Sequence, residues 1–167
     1  MVTRSDIMRL IGYNRYAAVD YAREWALKRN PNYYDFEKIG GDCTSFASQC
    51  IFAGSKVMNF TPVMGWYYRS LSDRTPSWSG VEYLYDFLVK NRSVGPYGRE
   101  ASENEVLPGD IVQLGRSNGD FYHTPVIVSV TPSILLAAHT YDTINKPLDE
   151  YYADKIRFIH IEGVRIW

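Results

Sequence analysis

Polar and apolar positions divide the chain into a helical front and a strand-rich back. After Asn14, a good helix N-cap, residues Tyr16, Ala18, Ala22, Trp25 and Ala26 recur at helical spacing and lay down one apolar face. Asn30-Pro31 should end that helix. A polar and aromatic loop carries Tyr33, Tyr34 and Phe36, and Gly40-Gly41-Asp42 punctuates the chain. A second helix is expected from about Cys43 to Ala53, closed by Gly54 as a C-terminal cap. An aromatic stretch, Gly65-Trp66-Tyr67-Tyr68 through Ser77-Trp78-Ser79, precedes another helical stripe at Val81, Leu84, Tyr85 and Leu88, with Ser77 or Ser79 as its cap. Residues 91–105 are polar and read as a loop.

From Pro108 the texture changes. Gly109–Leu114, Val126–Val130 and Ile134–Ala138 read as strands, and Thr131-Pro132-Ser133 makes a tight turn between the last two. The tail alternates at Ile156, Phe158 and His160, and again at Val164 and Ile166. With few helical patterns interspersed, the sheet should be antiparallel. No repeat, low-complexity tract or linker interrupts the pattern, so residues 1–167 are expected to form a single α+β domain.

Composition narrows the function classes. Hydrophobic residues make up 46%, charged residues 22%, and the net charge is −1, which argues against disorder and against broad electrostatic binding to nucleic acid or anionic membrane. No apolar run approaches the ~20 residues of a membrane helix, and the opening residues do not resemble a signal peptide. A chain of this size buries roughly 70% of its unfolded surface and needs no metal or disulfide staple. Zinc-type spacings, a phosphate-binding loop and a dinucleotide fingerprint are all missing, so no metal or cofactor is expected. The unusual figure is 15% aromatic, with 14 Tyr, 7 Phe and 4 Trp. Such a count signals either a bulky core or a groove that grips an extended ligand.

Candidate chemistry centres on Cys43. A thiol in the first turn of a helix meets unpaired backbone N–H groups and the positive end of the helix dipole, which favour thiolate and an oxyanion. Asp42 is the expected N-cap. Cys50 lies seven residues further on, roughly 10 Å away along one helix, too far for a disulfide, and reads as a small buried residue. His123, eighty residues after Cys43, opens the strand at Val126 and is placed to face a helix N-terminus and act as base. His139 ends the following strand, so antiparallel pairing should bring it beside His123 as the orienting third group, with Asp142 as rival. His160 reads as structural.

These residues resemble a known family. Gly41-Asp42-Cys43-Thr44-Ser45-Phe46-Ala47-Ser48-Gln49-Cys50 is similar to the Gly-Asp-Cys-Thr-Asn-Phe-Val-Ser-Gln-Cys signature of the putative amidase domain family, with Ser45 where Asn is expected. Tyr13-Asn14-Arg15-Tyr16, Gly65-Trp66-Tyr67-Tyr68, Ser77-Trp78, Gly109-Asp110-Ile111-Val112-Gln113, the His123 strand and Ala138-His139-Thr140-Tyr141-Asp142 follow in order. That family is similar to the papain-like cell-wall peptidases and amidases of the NlpC and CHAP types. The resemblance implies a papain-like core, Cys43 as nucleophile, His123 as base and His139 as orienting residue. The oxyanion donor is less clearly placed. Glu37 stands where papain has Gln, and Tyr33 or Tyr34 is an alternative source.

The expected activity is therefore a cysteine amidase or peptidase acting on peptide or peptidoglycan-derived amides. Its expected state is a monomer, and its expected location is extracellular or in the cell wall, the latter following from the substrate. A non-catalytic wall-peptide binding module and an acyltransferase or transglutaminase-like enzyme are the alternatives. Trp66, Tyr67, Tyr68, Trp78 and Tyr122 are expected to wall a substrate cleft around Cys43.

Overall fold

The computed structural model describes residues 7–167. The elements run β1 (Arg9–Ile11), α1 (Arg15–Trp25), α2 (Cys43–Ser55), a hairpin of β2 (Tyr68–Ser70) and β3 (Asp73–Arg74), α3 (Pro76–Ser79) and α4 (Val81–Lys90). They continue with β4 (Gly95–Ala101), β5 (Ile111–Gly115), β6 (Phe121–His123), β7 (Val126–Ser129), β8 (Leu135–Ala138), β9 (Thr143–Pro147) and β10 (Lys155–Ile166). The arrangement is α+β: helices pack on an antiparallel sheet of order β1-β10-β5-β7-β8-β9, with β4 against β10 and β6 against β5.

The long tail strand organises the sheet. Its first half pairs with β5 on one edge, and its second half pairs with β1 on that same edge. Strand β4 runs along the other edge. Successive side chains point to opposite faces, so Ile111, Val126, Ala137, Ile159 and Ile161 face the helices, whereas Val112, Leu114, Ile127 and Leu136 form a second apolar layer on the far face.

Helix α1 starts where its cap predicts, with the Ala17 N–H donating to Asn14 Oδ1 at 3.0 Å, but it stops at Trp25, before Pro31. Helix α2 is the central element, buried on nearly every side. Its polar residues are all partnered: Trp66 Nε1 donates to Ser48 Oγ, Tyr21 Oη to Gln49 Oε1, and Gln49 Nε2 to Ser45 Oγ. Gly54 lies inside this helix, not at its cap, and the left-handed cap residue is Lys56 with φ 58°. Glycine is needed at position 54 for a different reason, because a Cβ there would fall 2.4 Å from the Tyr13 ring and 2.8 Å from the Asn14 carbonyl.

Three further expectations change. Residues 91–105 contain the seven-residue strand β4, whose Gly-Pro-Tyr-Gly-Arg-Glu-Ala sequence has no apolar alternation and is held by its ladder to β10. The third helix is split, since Pro76–Ser79 forms one turn and Gly80 caps α4. His123 does not open the Val126 strand but ends β6, opposite Leu114, with Thr124-Pro125 separating it from β7.

Asp110 locks sheet to helix. Fully buried, it accepts hydrogen bonds from Arg15 Nη1 (2.8 Å), His160 Nδ1 (2.8 Å), Ile161 N (2.8 Å) and Leu107 N (2.9 Å). His160 is thus structural, as the sequence suggests. Asp110→Ala strands a partly buried guanidinium and imidazole and leaves the buried Ile161 N–H without its acceptor, and should cost about 3–5 kcal/mol of unfolding free energy by urea titration. A loss under about 1 kcal/mol, the size of a surface ion pair, would contradict this role.

Candidate active site

Two threonines fasten the start of α2 to the strands. Thr44 Oγ1 lies 3.0 Å from Thr124 Oγ1, which also accepts from Gln113 Nε2 at 3.3 Å. Cys43 is 6% exposed, with its Sγ 3.7 Å from Thr44 Oγ1 and within reach of the Thr124 backbone N–H. The nucleophile candidate therefore sits beside the residue that follows His123. No hydrogen bond joins the thiol to the imidazole in this structure.

The electrostatics of the pair differ from the sequence expectation. Burial pushes the Cys43 thiol up, outweighing the N–H and hydroxyl donors around it, with the Asp42 carboxylate adding to the rise. His123 is pushed down to about 4, chiefly by burial and further by the positive charge of Lys146. Near pH 7 the resting thiol and the imidazole are thus both neutral. Cys50, fully buried two turns on, is pushed up further and is free, not disulfide-bonded.

His139 occupies a different place from the one expected. Its Nδ1 lies 2.5 Å from Asp42 Oδ2 and its Nε2 2.8 Å from the Trp25 carbonyl, and the ring stacks on Phe46 with ring centroids 4.0 Å apart. Both nitrogens are engaged, leaving none for His123. Asp142 is no closer to that role: its carboxylate forms a two-pronged pair with Arg29 at 2.8 and 3.0 Å. Asp42 also departs from its expected capping role. Its side chain makes no cap hydrogen bond to α2 and instead accepts from the Phe36 N–H at 2.8 Å.

A cavity of about 280 Å³ opens onto His123, lined by Leu114, Tyr122, Thr140, Tyr141, Lys146, Tyr151 and Tyr152. Thr140 links it to Asp42, the neighbour of Cys43, and to Glu37, accepting from the Asp42 N–H (3.1 Å) and donating to Glu37 Oε2 (2.7 Å). Of the expected cleft aromatics, Tyr122 alone lines this cavity. Trp66 and Trp78 are fully buried and belong to the core, in contact with each other at 5.0 Å. Tyr33 stacks on Trp78, Tyr68 packs against both, and Tyr67 donates to Asp73 in the β2–β3 hairpin. Tyr34 packs edge-on against Phe36, and its N–H donates to the Tyr68 hydroxyl. The aromatics missed by sequence reasoning are Tyr141, Tyr151 and Tyr152. Tyr141 sits within the motif around His139, but the Tyr151-Tyr152 pair follows a 3₁₀ turn at Leu148–Glu150 and carries no periodic signal.

Among the described residues no group of three or more His, Cys, Asp or Glu side chains is placed to hold a metal ion, and no helix is long and apolar enough to cross a membrane.

The fold is antiparallel α+β, with Cys43 at a buried helix N-terminus, and a family model gives the membership. The chain belongs to the family described as "Putative amidase domain", matched over residues 12–162. It is 32% identical over 140 residues to the uncharacterized protein YhbB of Bacillus subtilis (strain 168), covering 81% of this chain and 44% of the relative. It is 26% identical over 153 residues to the uncharacterized protein YjcM of the same organism, covering 86% of this chain and 34% of the relative. The chain therefore spans less than half the length of these two relatives. No solved structure matches it.

Two predictions test the site. His139→Ala leaves the buried Asp42 carboxylate without its main partner and should lower unfolding free energy by about 3 kcal/mol in a denaturant titration. A residue that only oriented His123 would instead lose turnover at unchanged stability. The second concerns acid. The unfolded chain protonates His123 below about 6.5 and the folded chain only below about 4, so the unfolded state binds more protons between those values. Stability should fall as pH drops through that window, by on the order of 3 kcal/mol from this group. Denaturation midpoints at pH 7 and pH 4 should lie closer together in His123→Gln; an equal spread would show that His123 is not buried in its neutral form.

Proposed function

We propose that this chain is a cysteine-dependent amidase or peptidase built on a papain-like core and related to the NlpC and CHAP types. The observation that supports this reading is the junction at Thr124, whose hydroxyl lies 3.0 Å from that of Thr44, the residue after Cys43, while the preceding residue, His123, lines a tyrosine-rich cavity. In the reaction the Cys43 sulfur attacks the amide carbonyl and its proton passes to the neutral His123. The imidazolium then protonates the departing amine, leaving an acyl-thioester, and water adds to the thioester to release the acid and restore the thiol. Because the resting thiol is held up and the imidazole down, proton transfer accompanies attack on bound substrate and does not precede it. The N–H groups at the start of α2 and at Thr124 are the donors available to a developing oxyanion. His139 supports this site by fixing Asp42, next to the nucleophile.

The substrate proposed by resemblance is an amide of bacterial cell-wall peptides, which places the activity outside the membrane, carried out by a single copy of a single domain. One feature favours a second reading. The missing thiol–imidazole hydrogen bond fits a wall-peptide binding module that no longer turns over.

Digestion of purified peptidoglycan with mass analysis of the fragments separates the two readings. Wild type should release new amine and carboxyl ends, and Cys43→Ala should lower the rate by at least about 10³-fold while the protein stays folded. Unchanged release by Cys43→Ala would rule out the cysteine mechanism, and binding without release by wild type would favour the module. A new amide formed with added amine would identify an acyltransferase.

A further inference from the structure

The cavity at His123 carries one formal charge. Its lining residues are one leucine, four tyrosines, one threonine, His123 and Lys146. The histidine is neutral near pH 7, which leaves the Lys146 ammonium alone. Lys146 is partly buried on β9, and its Nζ rests 4.0 Å from the centre of the Tyr151 ring. Among the described residues it has no carboxylate partner. Five arginines are used otherwise: Arg15, Arg29, Arg99, Arg116 and Arg157 all hold acids. The acids around the start of α2 are also spoken for. Glu37 accepts from Thr140, while Asp35, Asp42 and Asp142 gather around Arg29.

A partly desolvated ammonium without a counter-ion, on the wall of a cavity that also holds the candidate base, is a ready receptor for an anion. The tyrosines suit a flat, planar group, and the cavity is large enough for a short amino-acid-like fragment. We infer that Lys146 is a specificity-determining residue that binds a free carboxylate of the substrate, so that this site selects amides carrying a carboxylate close to the bond that is cut. This inference rests on the reading of Cys43 and His123 as the reacting pair. It adds a consequence for that pair: a carboxylate bound at Lys146 would cancel the nearby positive charge that weakens His123 as a base, so the right substrate would help to activate its own base.

A binding measurement on the Cys43→Ala protein tests this without needing turnover. The probes are N-acetylglycine, with an α-carboxylate, N-acetylglutamate α-amide, with a side-chain carboxylate, and N-acetylglycinamide, with none. The readout is the His123 ring resonance in NMR titrations, followed against probe concentration and pH. At least one carboxylate probe should bind roughly tenfold or more tightly than the neutral amide and raise the His123 pKa. Lys146→Met should abolish that preference and Lys146→Arg should restore it. Whichever carboxylate probe binds tells an α-carboxylate from a side-chain one. Equal binding of all three probes, no binding, or a preference kept in Lys146→Met would overturn the inference. Those outcomes are independent of the peptidoglycan digest, so hydrolysis lost with Cys43→Ala could stand while the role of Lys146 fails, and the reverse.

Discussion

The structure depends on one buried hydrogen-bond chain. His139 follows strand β8 and reaches the carbonyl of Trp25 at the end of α1 with one nitrogen and the carboxylate of Asp42, just before α2, with the other. Asp42 passes the connection on to Phe36 in the preceding 3₁₀ turn. Three elements and a loop, far apart in sequence, therefore meet at a single imidazole. A buried carboxylate is tolerable only when its hydrogen-bond capacity is filled, and here that requirement fixes where α2 begins. Since α2 begins with Cys43, the same contacts fix where the thiol sits relative to Thr124 and His123. Stability and the candidate chemistry share one set of atoms.

The cost of that arrangement falls on the thiol. A helix N-terminus lowers a cysteine pKa when water can reach it, but α2 is buried almost throughout, and loss of hydration outweighs the helix N–H groups. Burial acts on His123 in the opposite sense, because for a histidine the charged form is the protonated one. The two shifts push the pKa values of Cys43 and His123 apart, and they favour the uncharged form of each at rest. A buried site that held a thiolate–imidazolium pair without further hydrogen bonds would have to meet a larger desolvation penalty.

How much of this was legible in the sequence follows from the range of each interaction. The helix cap at Asn14, the start of α2 and the apolar strands β5, β7 and β8 are local patterns, and they appear where periodicity puts them. Strand β4 has no such pattern because its partner supplies the order, and β1 and β9 are short edge strands of the same kind. The chemical residue types in the Asp42-Cys43, His123 and His139 motifs were also readable, but their pairings were not. Two histidines near adjoining strands suggested a catalytic neighbour, whereas a carboxylate one residue before Cys43 is the better acceptor for His139. Trp66 and Trp78 were misread for a related reason. Tryptophans among glycines and prolines look exposed in sequence, yet Trp66, bonded to Ser48 of α2, and Trp78, in the single turn α3, are both fully buried.

The distribution of charge around the site follows from the same packing. Four carboxylates, on Asp35, Glu37, Asp42 and Asp142, lie near one guanidinium, that of Arg29, and this group flanks the start of α2. An excess of negative charge there opposes thiolate formation at Cys43, and Asp42 does act in that direction. The opposite charge sits in the cavity wall on Lys146, where it acts on His123. Each member of the pair thus faces the sign of charge that disfavours its ionised form. An anion held at Lys146 removes one half of that opposition without moving any backbone, whereas neutralising the Arg29 cluster would require breaking ion pairs that hold the Phe36 loop in place. The cavity side is therefore the side from which a ligand can change the chemistry of the pair at least structural cost.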